Sequence, residues 1–335
     1  MWWLRQHQLR SRNVEARREA AASFCAAPSP RAIGALTAAL KDSDPEVRRL
    51  CATALGKIAD PQCLEPVLQA FADPNVEVLK AALTAARKFS DPKIGTFAAT
   101  LLRHVDAGVR GLAAQLAVRC DWQPGNAEES VWLQVGRGQF QLAAKAGALA
   151  VPIFEIVIQN GPFNVSMAAI QAIAEAGGPH AVPPLLTGLK SSDSAVCIAS
   201  MEALSRLGRP EAREHIQELL HHEDEHVRLA AVESLGALRM DGAAGFFTPM
   251  LKDPSWDVRR AAAEALGRSR DSSAVEGLCE ALFDSDIDVG EAAAIALSNV
   301  GNETAVPSLV RALGSPASGV RRLAAAALAR IDEDW

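Results

Sequence analysis

The stretch Asp44-Pro45-Glu46-Val47-Arg48-Arg49-Leu50-Cys51-Ala52-Thr53-Ala54-Leu55-Gly56 decides the fold, because it returns in altered form about every 31 residues. With Val47 as anchor, steps of 31 reach Ala16 behind it and Val78 and Val109 ahead. A second series in the same step runs Val165, Val196, Val227, Val258, Val289 and Val320. Three residues before the anchor stand Asn13, Asp44, Asn75, Asp106, Asp193, Asp224, Ser255 and Asp286. Their side-chain oxygens suit the orphan N–H groups of a helix's first turn, so each marks a helix start. Pro45 fits the next position, where a missing N–H costs nothing. Pro162 and Ala317 break the column, and those two helices are expected to start weakly or out of register.

Four residues after the anchor the side chain is always small: Ala20, Cys51, Ala82, Ala113, Ala169, Ser200, Ala231, Ala262, Ala293, Ala324. Eight after it come mostly Leu, Ile or Phe, with alanine at 86 and 117. Positions 0, +4 and +8 share one face of a helix, here called helix B, and the small column means that another helix passes close. Apolar residues eleven and seven before the anchor, such as Leu36 and Leu40, mark a helix A in front of each helix B. Breakers such as Ala59-Asp60-Pro61-Gln62 and Gly177-Gly178-Pro179 separate the pairs. One such pair cannot bury its apolar face alone; a stack can, which makes the chain an α-solenoid.

The unit D-x-D-x-x-V-R-x-x-A-A-x-A-L-G resembles the short HEAT repeat named after phycobilisome lyases, and the resemblance covers essentially the whole chain. The fold expected is all-α: a right-handed α-solenoid, or superhelix, of about eleven HEAT-like helix pairs of about 31 residues. Residues 1–120 hold the N-terminal repeats. Residues 121–164 hold an irregular repeat, because Val109 and Val165 are 56 apart, six short of two periods. There 121–126 reads as a loop, and 128–135 and 140–149 as a degenerate pair broken at Gly136-Arg137-Gly138, where a kink is expected. Residues 165–335 hold six further repeats in strict step.

Composition agrees with thin, alanine-rich layers: 49% of the 335 residues are hydrophobic, 5% are aromatic and none is tyrosine. Cysteines 25, 51, 63, 120, 197 and 279 show no C-x-x-C spacing, so zinc and redox motifs are unsupported. They read as free thiols in a reducing, cytoplasmic compartment. No apolar run reaches the ~20 residues of a membrane span. Trp2 and Leu9 fall fourteen and seven before Ala16, where helix A residues belong, so the N-terminus reads as a partial first helix A rather than a membrane-surface segment. Charge is uneven: residues 1–120 carry a balance of +6 and residues 121–335 one of −12, within a net −6. That asymmetry favours two different partners or head-to-tail contact between copies, and leaves the oligomeric state open.

In HEAT-like stacks helix B lines the concave side, and its outward line falls at +2, +6 and +10. This line begins Arg49, Thr53, Lys57; Lys80, Thr84, Lys88; Gly111, Gln115, Arg119. It continues Met167, Gln171, Glu175; Ile198, Glu202, Arg206; Leu229, Glu233, Ala237. The expected partner is a protein or peptide whose acidic segment meets Arg49, Lys57, Lys80, Lys88 and Arg119, with Met167, Ile198 and Leu229 as apolar footing. Trp122 and Trp132, in the irregular unit, are a docking site or gap-fillers. The arginines after the anchor, Arg17, Arg48, Arg110, Arg228, Arg259 and Arg321, resemble a structural ladder linking neighbouring repeats through their turns.

No catalytic set, cofactor or metal is expected. The cluster His221-His222-Glu223-Asp224-Glu225-His226 lies in a turn, with Asp224 engaged as a helix cap. HEAT-repeat di-iron hydroxylases carry His-Glu pairs on inner helices, and none stands here. The resemblance to phycobilin lyases implies an alternative, tetrapyrrole handling, but the inner line lacks tyrosine, histidine and tryptophan. A further alternative is a nucleic-acid-binding solenoid, against which the net negative charge weighs.

Overall fold

The computed structural model describes residues 2–238, 242 and 244–333, with the backbone alone at 2, 332 and 333. All regular secondary structure among them is helical. Two compact units divide the chain, Met1–Ala176 and Gly177–Trp335.

The first unit runs α1 (Trp2–Gln8), α2 (Val14–Ala26), α3 (Ile33–Ala39), α4 (Pro45–Ile58), α5 (Leu64–Gln69), α6 (Val76–Ala86), α7 (Lys93–Ala99), α8 (Ala107–Arg119), α9 (Ala127–Gly136), α10 (Phe140–Ala144), α11 (Val151–Asn160) and α12 (Phe163–Ala176). The second runs α13 (Val182–Gly188), α14 (Ser194–Arg206), α15 (Arg213–Glu218), α16 (Glu225–Ala237), α17 (Ala244–Met250), α18 (Trp256–Ser269), α19 (Val275–Ala281), α20 (Ile287–Val300), α21 (Val306–Ala312) and α22 (Ser318–Glu333). Each unit is therefore a stack of helix pairs, as expected of an α-solenoid. The even-numbered helices, apart from α10, are the B helices.

All ten B helices start two residues before their anchor. Asn13, Asp44, Asn75, Asp106, Asp193, Asp224 and Asp286 each accept an N–H from the first turn that follows. Ser255 occupies the same place without such a bond. The expected shift at Pro162 and Ala317 does not occur, since α12 and α22 begin in the common register. At α12 the carbonyl of Pro162 takes the N–H groups of Val165 and Ser166, and the Ser166 hydroxyl returns to the carbonyls of Ile158 and Gly161. Burial of the +4 and +8 face holds the register where the capping side chain is missing.

The A helices are shorter, and most open through a single 3-10 turn. Asp60, Asp271 and Asn302 hold three of these turns by accepting the N–H groups of Gln62, Ser273 and Thr304. The small column lies wholly in the interior, from Ala20 to Ala324, and the column eleven before the anchor is buried from Leu36 to Leu309. Leu9 is buried and α1 packs on α2, so the N-terminal segment is a partial helix A; the side chain of Trp2 lies outside the described residues. Leu313, just past the last A helix, is 42% exposed.

The irregular pair is α9 and α10. Helix α9 packs against both α8 and α10, and α10 against α12. Gly136 makes the first contact, because a Cβ there would fall 2.8 Å from Ala114 Cβ and 2.9 Å from the Arg110 carbonyl. Gly138, at φ +73°, turns the chain out of α9. All six cysteines are unpaired. Burial pushes the Cys197 thiol up to about 11, and its Sγ donates to the Leu189 carbonyl at 3.2 Å.

Candidate binding grooves on the B helices

Four of the six anchor-adjacent arginines form one repeated bond set. Arg17, Arg48, Arg228 and Arg259 each place Nε and Nη2 on both carboxylate oxygens of Asp42, Asp73, Asp253 and Asp284, at 2.7–3.0 Å. Each also donates Nη1 to two carbonyls of its own A–B turn. Their guanidinium pKa values are raised, first of all by that aspartate bond. These arginines are spent on joining repeats.

Arg110 is the internal exception. It is 2% exposed and donates Nη1 to the His104 and Val105 carbonyls, at 2.7 Å each. Among the described residues it pairs with no carboxylate; the residue 25 further on is Val135, inside the irregular pair. Burial therefore pushes its pKa down. Among the described residues Arg321 likewise holds only the carbonyls of Ser315 and Pro316.

With that ladder set aside, the outward line of helix B forms grooves between successive helices. In the first unit Arg49, Thr53 and Lys57 of α4 face Lys80, Ala81 and Thr84 of α6 and the following Lys88 across a cavity of about 390 Å³. Gly56 and Ala85 form its floor, and a Cβ at 56 would overlap Ala85. The cations are not equivalent. Arg49 is paired with Glu46 at 2.6 and 2.7 Å, and Lys80 with Glu77 at 3.2 Å and Asp106 at 3.4 Å. Lys57 is exposed and donates to the Cys25 carbonyl at 2.9 Å, keeping its charge unneutralised. Lys88 is exposed and makes no ion pair among the described residues.

A second hollow of about 480 Å³ follows, where Arg87, Gln115, Arg119 and Arg137 converge. Arg119 donates to the carbonyls of Arg87 and Phe89 at the end of α6. Arg87 and Arg137 escaped the sequence reading because neither falls on the +2, +6, +10 line.

The remaining expected residues are dispersed. Met167 is half-buried on α12 in the first unit; Ile198 and Leu229 are half-buried on α14 and α16 in the second. Trp122 is half-buried beside α7, its Cβ 3.0 Å from where a Cβ on Gly95 would stand. Trp132 is 3% exposed, with its Nε1 unpartnered in the interior, and so presents no surface. The turn at 221–226 is engaged locally: His222 Nδ1 accepts the Asp224 N–H, and Asp224 accepts that of His226. Among the described residues no three His, Cys, Asp or Glu side chains converge as metal ligands, and no helix is long and apolar enough to cross a membrane.

In the second unit the same columns build a groove of about 600 Å³ that the sequence reading passed over. Trp256, Arg260, Glu264 and Arg268 of α18 face Asp288, Glu291, Ile295 and Asn299 of α20.

Helix pairs joined by an arginine–aspartate ladder, with grooves between successive B helices, define an α-solenoid repeat protein. The chain belongs to the HEAT-repeat family: the family pattern described as HEAT repeats matches residues 3–88, 35–118, 151–236, 189–255 and 246–329. The unmatched stretch 119–150 contains the irregular pair α9 and α10. No curated protein matches the sequence. Among solved structures, similarity is found to an engineered protein from the Northeast Structural Genomics Consortium, with 22% identity, TM-score 0.42 and coverage of 99% of this chain and 98% of that one. It is found to human deoxyhypusine hydroxylase in complex with glycerol, with 17% identity, TM-score 0.33 and coverage of 80% and 95%. It is also found to the CpcE–CpcF complex of phycocyanin lyase from Nostoc sp. PCC7120, with 19% identity, TM-score 0.30 and coverage of 99% and 94%. At these TM-scores none of them bears on function.

Proposed function

We propose that the chain is a non-catalytic interaction scaffold whose first unit holds an acidic segment of a partner protein along the B helices. The observation that carries this reading is the charge of the two adjoining hollows. Lys57 and Lys88 in one, and Arg87, Arg119 and Arg137 in the other, present five cations without a carboxylate partner among the described residues. Anionic side chains are drawn to such a surface, and cationic ones are turned away. The repeated Arg, Asp and small-residue columns are accounted for by ladder, cap and packing, so the function falls to the outward line. The six unpaired thiols fit work in the reducing cytoplasm.

Arg49 and Lys80 already have carboxylates, so the test falls on the other cations. Partners captured from the source cell extract by the wild-type chain, read by mass spectrometry, should be lost to a Lys57→Glu, Lys88→Glu double variant. Their binding should also weaken as salt rises. Undiminished capture by the double variant would remove this reading.

A further inference from the structure

We propose that the groove between α18 and α20 is a second binding site, for a partner segment that sets a large apolar side chain beside a lysine or arginine. The inference stands apart from the basic hollows of the first unit, and its charge has the opposite sign.

The groove has a polarised build. Its floor is narrow because Gly267 lies against Ala296; a Cβ at 267 would fall 2.8 Å from the Ala296 Cα. Two large apolar side chains remain open in it, Trp256 at 41% and Ile295 at 51% exposure. Singly exposed apolar residues need no explanation, but two sharing one concavity form an apolar seat. The indole is held in place: the Arg260 guanidinium lies 5.9 Å from its ring centre, and Arg260 is fixed by Glu264 at 2.8 Å and Asp257 at 3.4 Å. A ring already ordered in the free protein loses little freedom on binding, and tryptophan and arginine are the side chains that most often anchor interfaces.

Charge selects the neighbour of the apolar side chain. On the α18 wall Arg260 is neutralised by Asp257 and Glu264, and Arg268 lies 3.8 Å from Glu264. On the α20 wall Asp288 and Glu291 make no ion pair among the described residues. Glu291 reaches over Gly319 of α22, occupying space that any side chain there would fill. The uncompensated charge is thus negative and sits on one wall, beside Ile295. A lysine or arginine next to the seated apolar group meets Asp288 and Glu291, whereas an acidic segment or a phosphate backbone meets like charge.

The test uses the whole chain and a phage-displayed random dodecapeptide library. Peptides recovered on the wild type should include a class that pairs Lys or Arg with Leu, Ile, Phe or Trp within two residues. As synthetic fluorescent peptides they should bind Trp256→Ala and Glu291→Lys at least ~10-fold more weakly by anisotropy. They should bind Lys57→Glu unchanged, which separates this site from the basic one. Circular dichroism melts identify any variant that fails to fold, and Asp288→Lys then takes its place. Failure to recover peptides of this class, or their full binding to Glu291→Lys, would overturn the proposal.

Discussion

Arg228 and Asp253 are joined by two parallel hydrogen bonds of 2.8 and 2.9 Å across 25 residues of sequence. Arg228 also holds the His222 and Glu223 carbonyls, and Asp253 accepts the Ser255 N–H, so one pair ties two consecutive turns. Asp253→Ala leaves a largely buried guanidinium short of its acceptors and should cost about 1.5–3 kcal/mol in urea denaturation. In an Arg228→Ala background the same change should cost much less. Additive losses would show that the rung contributes nothing to stability.

Asp44 gives the chain an acid-sensitive point. The two-pronged bond from Arg18 holds its carboxyl down to about 2; desolvation opposes this, and the Val47 amide adds to it. The folded value lies below the ordinary ~3.9 of an unfolded aspartate. The stabilisation is therefore complete above pH ~4 and is lost as pH falls through about 2. The difference in melting temperature between wild type and Asp44→Asn should be constant from pH 7 to 5 and shrink towards pH 2. A difference independent of pH would contradict the assignment.

The small column bears on packing alone. Ala231 is fully buried. Ala231→Leu should overpack the helix contact and cost ~1–3 kcal/mol, read by thermal melting. A neutral result would mean that the column has slack.

Two helical glycines should respond in opposite directions. A Cβ on Gly56 overlaps Ala85, while one on Gly34 meets nothing within 4 Å. Gly34→Ala should stabilise by about 0.5–1 kcal/mol through helix propensity, and Gly56→Ala should destabilise as α4 and α6 are forced apart. Equal effects would show that propensity alone acts at both.

The fold was legible because packing and capping act locally and recur. Val47, Cys51 and Leu55 announce a buried helix face by spacing, and Asp44 announces its start. The paired columns Arg48 and Asp73 could be suspected from periodicity, but their two-pronged geometry needed coordinates. At Pro162 the local rule misled, because side-chain burial along α12 overrode the absent cap. The grooves were half legible. Lys57 and Lys88 lie on a helical line that can be read by counting, and continuing that count to Arg260, Glu264, Glu291 and Ile295 would have reached the second groove. Which cations are already neutralised was hidden, since Lys80 finds Asp106 in the next repeat. Trp132 was ambiguous because its burial depends on how α9, which breaks the period, packs against α8.

Each clasp between neighbours spans 25 residues, while the pattern renews itself every 31. Excising residues 18–48 as a block would leave Arg17 standing 25 positions before Asp73, with a matching partner still in reach. Lengthening or shortening such a gene by whole periods therefore disturbs no joint, so unequal recombination can add or remove bricks at little structural cost. Arg110 marks the place where a cut out of phase would leave its trace, as a hand that closes on its own turn and reaches no neighbour.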